Sequence, residues 1–233
     1  MKTTYIYHSG FLVETNDCYY LFDYYKGDIP KLDTTKPILV FASHSHQDHY
    51  NPEVFKLLKE QGMEHITAVL SKDIQTKNYP ECLDNSDIIR VTFHTQYELP
   101  CNTTLNTLHS TDKGVAFIIK CNDGVIYHAG DLNDWVWEGE TEQYNRQMTG
   151  SYRHEINLLQ KHLLETNENV DIAFIPLDSR QEKDYANGML YFLKKIAVEK
   201  IYPMHYWDKP QIIGQFIHEY PEYKDVIQMT EEL

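Results

Sequence analysis

Apolar and polar positions alternate in short runs over the first half of the chain and recur at helical spacing over much of the second. Residues 4–15 and 18–25 are rich in β-branched and aromatic side chains. They flank Asn16-Asp17, which reads as a hairpin turn. Residues 37–42, Pro-Ile-Leu-Val-Phe-Ala, form an unbroken apolar run, as expected of a buried strand. A helix is predicted next, with Asn51 as its cap, Pro52 at its first position and Gly62 at its end. Val54, Leu57 and Leu58 lie along one face of it. Residues 65–70 and 88–93 read as further strands, and 115–120 with 125–129 as a hairpin about Asn122-Asp123-Gly124.

In the second half, a helix around residues 151–165 carries Ile156, Leu159 and Leu163 on one face, and residues 170–176 form an apolar strand. A helix around 187–195, or slightly beyond, repeats Met189, Leu190, Leu193, Ile196 and Ala197. Residues 200–204 form a short strand ending at His205, and Asp208 is placed to cap a last helix with Ile213, Phe216, Ile217 and Tyr220 inward. Strand runs followed by helix–strand–helix predict an α/β (α+β) fold of two sheets packed together with helices outside. No linker or low-complexity segment divides the chain, so residues 1–233 are expected to form one domain.

Composition narrows the function. A chain of 233 residues that is 42% hydrophobic can bury a full core without staples. No run approaches the roughly 20 apolar residues of a membrane span, and residues 1–11 lack a secretory pattern. The expectation is a cytoplasmic protein with no membrane partner. Cys18, Cys82, Cys101 and Cys121 form no C-x-x-C pair, so free thiols are expected. The net charge of −14 opposes a nucleic-acid partner and leaves a small-molecule substrate, whose anionic groups metal ions could still attract. The charge says nothing of oligomeric state.

The twelve histidines prompt a search for clusters. His44-Ser45-His46-Gln47-Asp48-His49 follows the buried strand directly. Strand ends present loops where binding groups converge. Side chains two apart on extended backbone point the same way, so His44 and His46 can reach one ion together, and Asp48 with His49 can turn towards a second. Imidazole and carboxylate suit Zn²⁺, and also Mn²⁺ or Fe²⁺. The plain alternative is a His-rich surface loop, which the preceding strand disfavours.

Those four residues fill the H-x-H-x-D-H signature, and the chain resembles the metallo-β-lactamase superfamily. Within it, the chain is most similar to the branch holding ascorbate 6-phosphate lactonase and the N-acyl phosphatidylethanolamine phospholipase D-like enzymes. The basis is His8-Ser9-Gly10-Phe11-Leu12-Val13 and the strand ending Leu21-Phe22-Asp23. The resemblance implies an αββα sandwich with metals at one edge between the sheets. It implies His109, in Leu108-His109-Ser110-Thr111-Asp112-Lys113-Gly114, as the third ligand beside His44 and His46. It implies His205, after Pro203-Met204, beside Asp48 and His49, and Asp131, in Tyr127-His128-Ala129-Gly130-Asp131, as the bridge. Two divalent ions follow, Zn²⁺ first and Mn²⁺ or Fe²⁺ otherwise.

Such a pair of ions can share a hydroxide that attacks a small ester, lactone or phosphodiester, with Asp48 orienting the nucleophile and shuttling its proton. An iron-dependent oxidoreductase of the same fold and a non-catalytic metal-binding protein are the alternatives. Leu132 stands where many relatives carry Thr. Trp135 and Trp137 either wall a substrate pocket or fill the core. Asp23 suits a group that orients a ligand histidine, whereas His8 reads more simply as filling a strand. Arg180 suits an anionic substrate group, although a surface arginine is the simpler reading. Tyr152, Tyr206 and Trp207 are open in the same way. His65, His94, His154, His162 and His218 lie in segments without partners.

Overall fold

In the computed structural model, which describes residues 1–229, two six-stranded sheets pack face to face with helices outside. The first sheet runs in sequence order: β1 (Lys2–Tyr7), β2 (Gly10–Glu14), β3 (Tyr19–Phe22), β4 (Ile38–Ala42), β5 (Ile66–Ser71) and β6 (Ile88–Val91). β1, β2 and β3 pair antiparallel, and β3 to β6 are parallel. The second sheet has the order β12-β11-β10-β9-β8-β7, with β7 (Gln96–Leu99), β8 (Thr103–His109), β9 (Val115–Cys121), β10 (Gly124–His128), β11 (Val170–Pro176) and β12 (Val198–Met204). β10, β11 and β12 are parallel, and the rest antiparallel. Helix α1 (Glu53–Glu60) covers the first sheet, while α2 (Glu142–Thr166) and α3 (Asn187–Lys195) cover the second; α4 (Gln211–Glu219) follows β12.

The period-two geometry of a strand sends successive side chains to opposite faces. In β4, Leu39 and Phe41 enter the core between the sheets, whereas Ile38, Val40 and Ala42 meet Val54, Phe55 and Leu58 of α1. β4 is therefore buried on both faces, which is why its sequence is apolar without alternation. An aromatic seam closes the sandwich: Phe22 lies 5.1 Å from Phe41, Phe41 lies 5.2 Å from Phe117, and Phe11 lies 4.4 Å from Phe174. On the far face of the second sheet, Tyr127 stacks on Phe192 of α3 at 5.3 Å.

The elements depart from the sequence reading in four places. The run 4–15 is two strands, broken by a turn at His8-Ser9 where His8 has φ +58°. β7 and β8 were not expected, because their Thr, Asn and Gln positions mask the apolar ones. α2 begins at Glu142, nine positions before the expected 151. The hydroxyl of Thr141 accepts the Tyr144 N–H as its cap, and the first turns are too polar to show a stripe. Asp208 does not cap α4, whose N-cap is Pro210; its carboxylate accepts the Tyr7 hydroxyl at 3.0 Å. Asn51 does serve α1, accepting the Glu53 N–H at 3.0 Å. Among the described residues all four cysteines are free, and no helix is long and apolar enough to cross a membrane.

Candidate metal centre

The parallel strands β3, β4, β11 and β12 end on one edge of the sandwich, and β10 ends there too. Asp23 follows β3, Ser43 to His49 follow β4, Asp131 follows β10, Asp178 follows β11 and His205 follows β12. The turn between β1 and β2 adds His8, whose carbonyl accepts the His205 N–H at 3.3 Å and so joins the two sheets. His8, Asp23, His205 and Trp207 all have positive φ, an uncommon backbone for such residues, and they crowd this one edge.

Two groups of donor atoms result, each lying within 4.8 Å: His44, His46, Asp112 and Asp131, and His8, Asp48, His49 and His205. Asp131 sits between them. Its Oδ2 is 3.4 Å from His44 Nε2, and its Oδ1 is 3.1 Å from His49 Nε2 and 3.5 Å from His205 Nε2. Asp112 Oδ2 lies 3.6 Å from His46 Nδ1, and Asp48 Oδ2 lies 3.5 Å from His8 Nε2.

The far side of each central imidazole is fixed. Asp23 is fully buried and accepts the Ser43 N–H at 2.7 Å, the Ser43 hydroxyl at 2.6 Å and His49 Nδ1 at 2.8 Å. Because the Ser43 hydroxyl gives its proton to Asp23, its oxygen accepts from His44 Nδ1 at 3.0 Å. His205 Nδ1 bonds Asp178 Oδ2 at 3.0 Å. With Nδ1 so engaged, His44, His49 and His205 turn their Nε2 atoms towards Asp131. A ring nitrogen facing a carboxylate at such distances needs positive charge between them, a proton or a metal ion. His44 Nε2, His49 Nε2, both ring nitrogens of His8 and Asp131 Oδ1 are buried with no hydrogen-bond partner, which fits that demand.

Electrostatics point the same way. Burial pushes His8 and His44 down to about 4, leaving them neutral, as metal ligands must be. Burial disfavours charge on His49, but the Asp131 and Asp23 carboxylates on either side outweigh it and hold the imidazole well above its usual range. Asp131 is held well below the usual carboxylate range, because His49 and His205 outweigh its burial. The centre attracts positive charge and repels protons from its carboxylates.

Most of the expected residues meet here: His44, His46, Asp48, His49, Asp131 and His205. His109 does not join them. It is the exposed last residue of β8; its ring meets Phe93 at 4.3 Å, its N–H donates to Glu155, and it lines a separate cleft with His154 and Ser151. Asp112, three residues on, stands beside His46 instead, because the loop folds back at Gly114 and Val115 N–H bonds Ser43 O at 3.0 Å. His8, expected as a strand filler, belongs to the second group. Asp23 takes the orienting place expected of it. His128 is structural, with Nε2 on Ser9 O and Nδ1 accepting the Gly130 N–H. Tyr152 is likewise core, donating to Gly188 O at 2.8 Å.

A cavity of about 310 Å³ opens over the centre. The donors His46, Asp48, Asp112, Asp131 and His205 line it together with Trp135, Trp137, Trp207 and Arg180. Trp135 is nearly buried, stacked parallel on Trp137 at 5.8 Å with its Nε1 on Asp131 O at 2.8 Å. It thus serves both core and pocket.

Residues 2–148 match the family profile of the beta-lactamase superfamily domain. The chain belongs to that superfamily. The sandwich accords with solved metallo-β-lactamase folds. Igni18, a metallo hydrolase from the archaeon Ignicoccus hospitalis, is 19% identical with a TM-score of 0.64, over 98% of this chain and 94% of its own. A Parabacteroides distasonis protein named as a metal-dependent hydrolase is 15% identical with a TM-score of 0.64, over 99% and 93%. The metallo-β-lactamase fold protein YhfI of Bacillus subtilis is 11% identical with a TM-score of 0.58, over 97% and 89%. At these identities the likeness is one of fold. No protein of curated function matches the chain.

Proposed function

We propose that this superfamily member is a metal-dependent hydrolase of a small ester, lactone or phosphodiester, working with two divalent ions. The observation that carries the reading is the set of buried, unpartnered Nε2 and carboxylate atoms converging on Asp131. His44, His46 and Asp112 would hold one ion, and Asp48, His49 and His205, with His8, the other; Asp131 would serve both. The donor set of imidazoles and carboxylates suits Zn²⁺ and accommodates Mn²⁺ or Fe²⁺. Ions so held would supply a water-derived nucleophile at neutral pH and would stabilise the developing oxyanion.

The chain's own residues do the rest. Asp48 is partly exposed at the cavity wall, and His8 and His49 beside it keep its carboxyl ionised against the effect of burial. It is therefore ready to accept a proton from an attacking group at Oδ2. Asp23 and Asp178 fix the imidazoles of His49 and His205, so the site needs little reorganisation. The resemblance to the lactonase and phospholipase D-like branch supports lactones and phosphodiesters as the first substrates to try.

Elemental analysis of the purified protein tests the reading. About two ions per chain are expected, with hydrolysis lost on chelation and restored by Zn²⁺ or Mn²⁺. Hydrolysis that survives complete metal removal would sink it. Asp112→Ala is expected to lose one ion, whereas His109→Ala keeps both; the reverse pattern would restore His109 as the ligand. Asp23→Asn should keep the ions but weaken their hold by roughly 10–100-fold in chelator competition, as loss of an imidazole's anchoring carboxylate does. An unchanged affinity would mean that Asp23 is merely structural.

A further inference from the structure

The chain has three tryptophans, and all three line the cavity over the metal centre. The same cavity holds one basic side chain, Arg180, in a protein of net charge −14. Its guanidinium carbon lies 5.1 Å from the Trp207 ring and 5.9 Å from the Trp137 ring, so the cation is seated between two indoles. Arg180 Nε donates to both oxygens of Asp178, at 2.9 and 3.0 Å, and Nη2 donates to Oδ2. A guanidinium has five N–H donors in a fixed fork, so these bonds leave the two on Nη1 and the second on Nη2 for a ligand. Asp178 is fully buried and its Oδ2 also anchors His205. One carboxylate thus sets the spacing between the cation at the aromatic wall and a histidine of the metal centre.

The cavity therefore combines the carboxylates of Asp48, Asp112 and Asp131 with one guanidinium, Arg180, and the indoles of Trp137 and Trp207 beside that cation. Arg180 is half-exposed, and its remaining N–H groups offer an anion charge-assisted hydrogen bonds that a neutral or cationic ligand cannot match. A volume of about 310 Å³ suits a small molecule rather than a polymer.

We infer that the substrate is a small ring-bearing acid, whose carboxylate or phosphate is bound by Arg180 and whose ring lies on Trp137 and Trp207 while the scissile bond faces Asp131. This inference rests on the hydrolase reading for its last clause only. Arg180 and the tryptophans are specificity residues, touching the substrate away from the reacting bond.

Because every tryptophan lines the cavity, quenching of tryptophan emission reports its occupancy without turnover. The probes are 4-nitrobenzoate, its neutral amide 4-nitrobenzamide, 4-nitrophenyl phosphate and acetate, each titrated into the metal-loaded protein and corrected against free tryptophan. The aromatic acids should bind more tightly than the amide, and acetate should bind least. Arg180→Met should weaken the preferred acid by about 10-fold or more, the cost of a charge-assisted hydrogen bond, and leave the amide unchanged. Trp137→Leu should weaken acid and amide alike. Whichever of carboxylate and phosphate binds more tightly names the anion.

Equal binding of acid and amide, or equal losses of both in Arg180→Met, would overturn the inference. So would acid binding that vanishes on chelation yet survives Arg180→Met, since the anion would then sit on the ions. Metal content of each variant, measured alongside, separates loss of Arg180 from disturbance of His205 through Asp178. An Arg180-dependent acid preference without hydrolysis of any ester or phosphodiester would sink only the hydrolase reading. Hydrolysis of neutral substrates with no acid preference would sink only this inference.

Discussion

Replacing Asp131 with alanine is expected to empty both metal positions at once and to abolish hydrolysis, a larger loss than any other single ligand change should cause. Asp131 faces donors of both groups, through Oδ2 to His44 and through Oδ1 to His49 and His205. Without it, three buried Nε2 atoms converge on an apolar methyl group. The loss should exceed the roughly 10–100-fold that follows removal of an imidazole's outer partner. Thermal unfolding gives a second readout that does not depend on knowing the substrate. A ligand bound only by the folded state stabilises it by about 4 kcal/mol at a thousand times its dissociation constant. Chelator should therefore lower the melting temperature of the native protein markedly and leave that of Asp131→Ala nearly unmoved. Equal responses to chelator would mean that the ions, if bound, are held elsewhere.

The same geometry explains what could be read from the sequence and what could not. His44 to His49 are consecutive and follow a strand whose apolar run is unbroken, so both the cluster and its exposure at a strand end were legible. Asp131 lies just past the end of one strand and His205 directly after another, and strand ends share an edge in parallel sheets; their positions were therefore recoverable once the resemblance supplied the pairing. The place of Asp112 beside His46, where the resemblance implies His109, was not recoverable in this way. Both lie near one loop, and residue type favours the histidine. What decides is backbone: β8 ends with His109 turned out to Phe93, and the chain then doubles back at Gly114 to place Asp112 beside His46. His8 was hidden for a related reason. Read as part of a continuous strand 4–15 it is an ordinary alternating position, whereas the turn at His8-Ser9 drives it fully into the metal edge. The first turns of α2 bring Tyr144 and Met148 to the cavity, yet show no stripe because most of their residues face solvent.

Gly114 carries the second large expectation, and the same substitution at Gly150 should have the opposite sign. Gly114 has φ +72°, a region that costs a residue with a Cβ roughly 1–2 kcal/mol. A Cβ there would also overlap the backbone carbonyl oxygen of Ser43 and lie 2.7 Å from His44 Cβ. Neither neighbour can yield: Ser43 is held by Asp23 through its N–H and hydroxyl, and His44 through Ser43. Gly114→Ala must therefore push the β8–β9 loop outward, breaking the Val115 N–H bond to Ser43 and carrying Asp112 away from His46. A loss of about 4 kcal/mol or more in denaturant unfolding is expected, in the range reserved for strain combined with core disruption, together with loss of the ion that Asp112 helps to hold. Gly150 lies within α2, and a Cβ there would meet nothing within 4 Å. Gly150→Ala removes only the entropic penalty of glycine in a helix and should stabilise by about 0.5–1 kcal/mol. If Gly114→Ala unfolded within 1 kcal/mol of the native chain, the loop would not be pinned to Ser43, and the case for Asp112 over His109 as the metal-side residue would lose its structural basis.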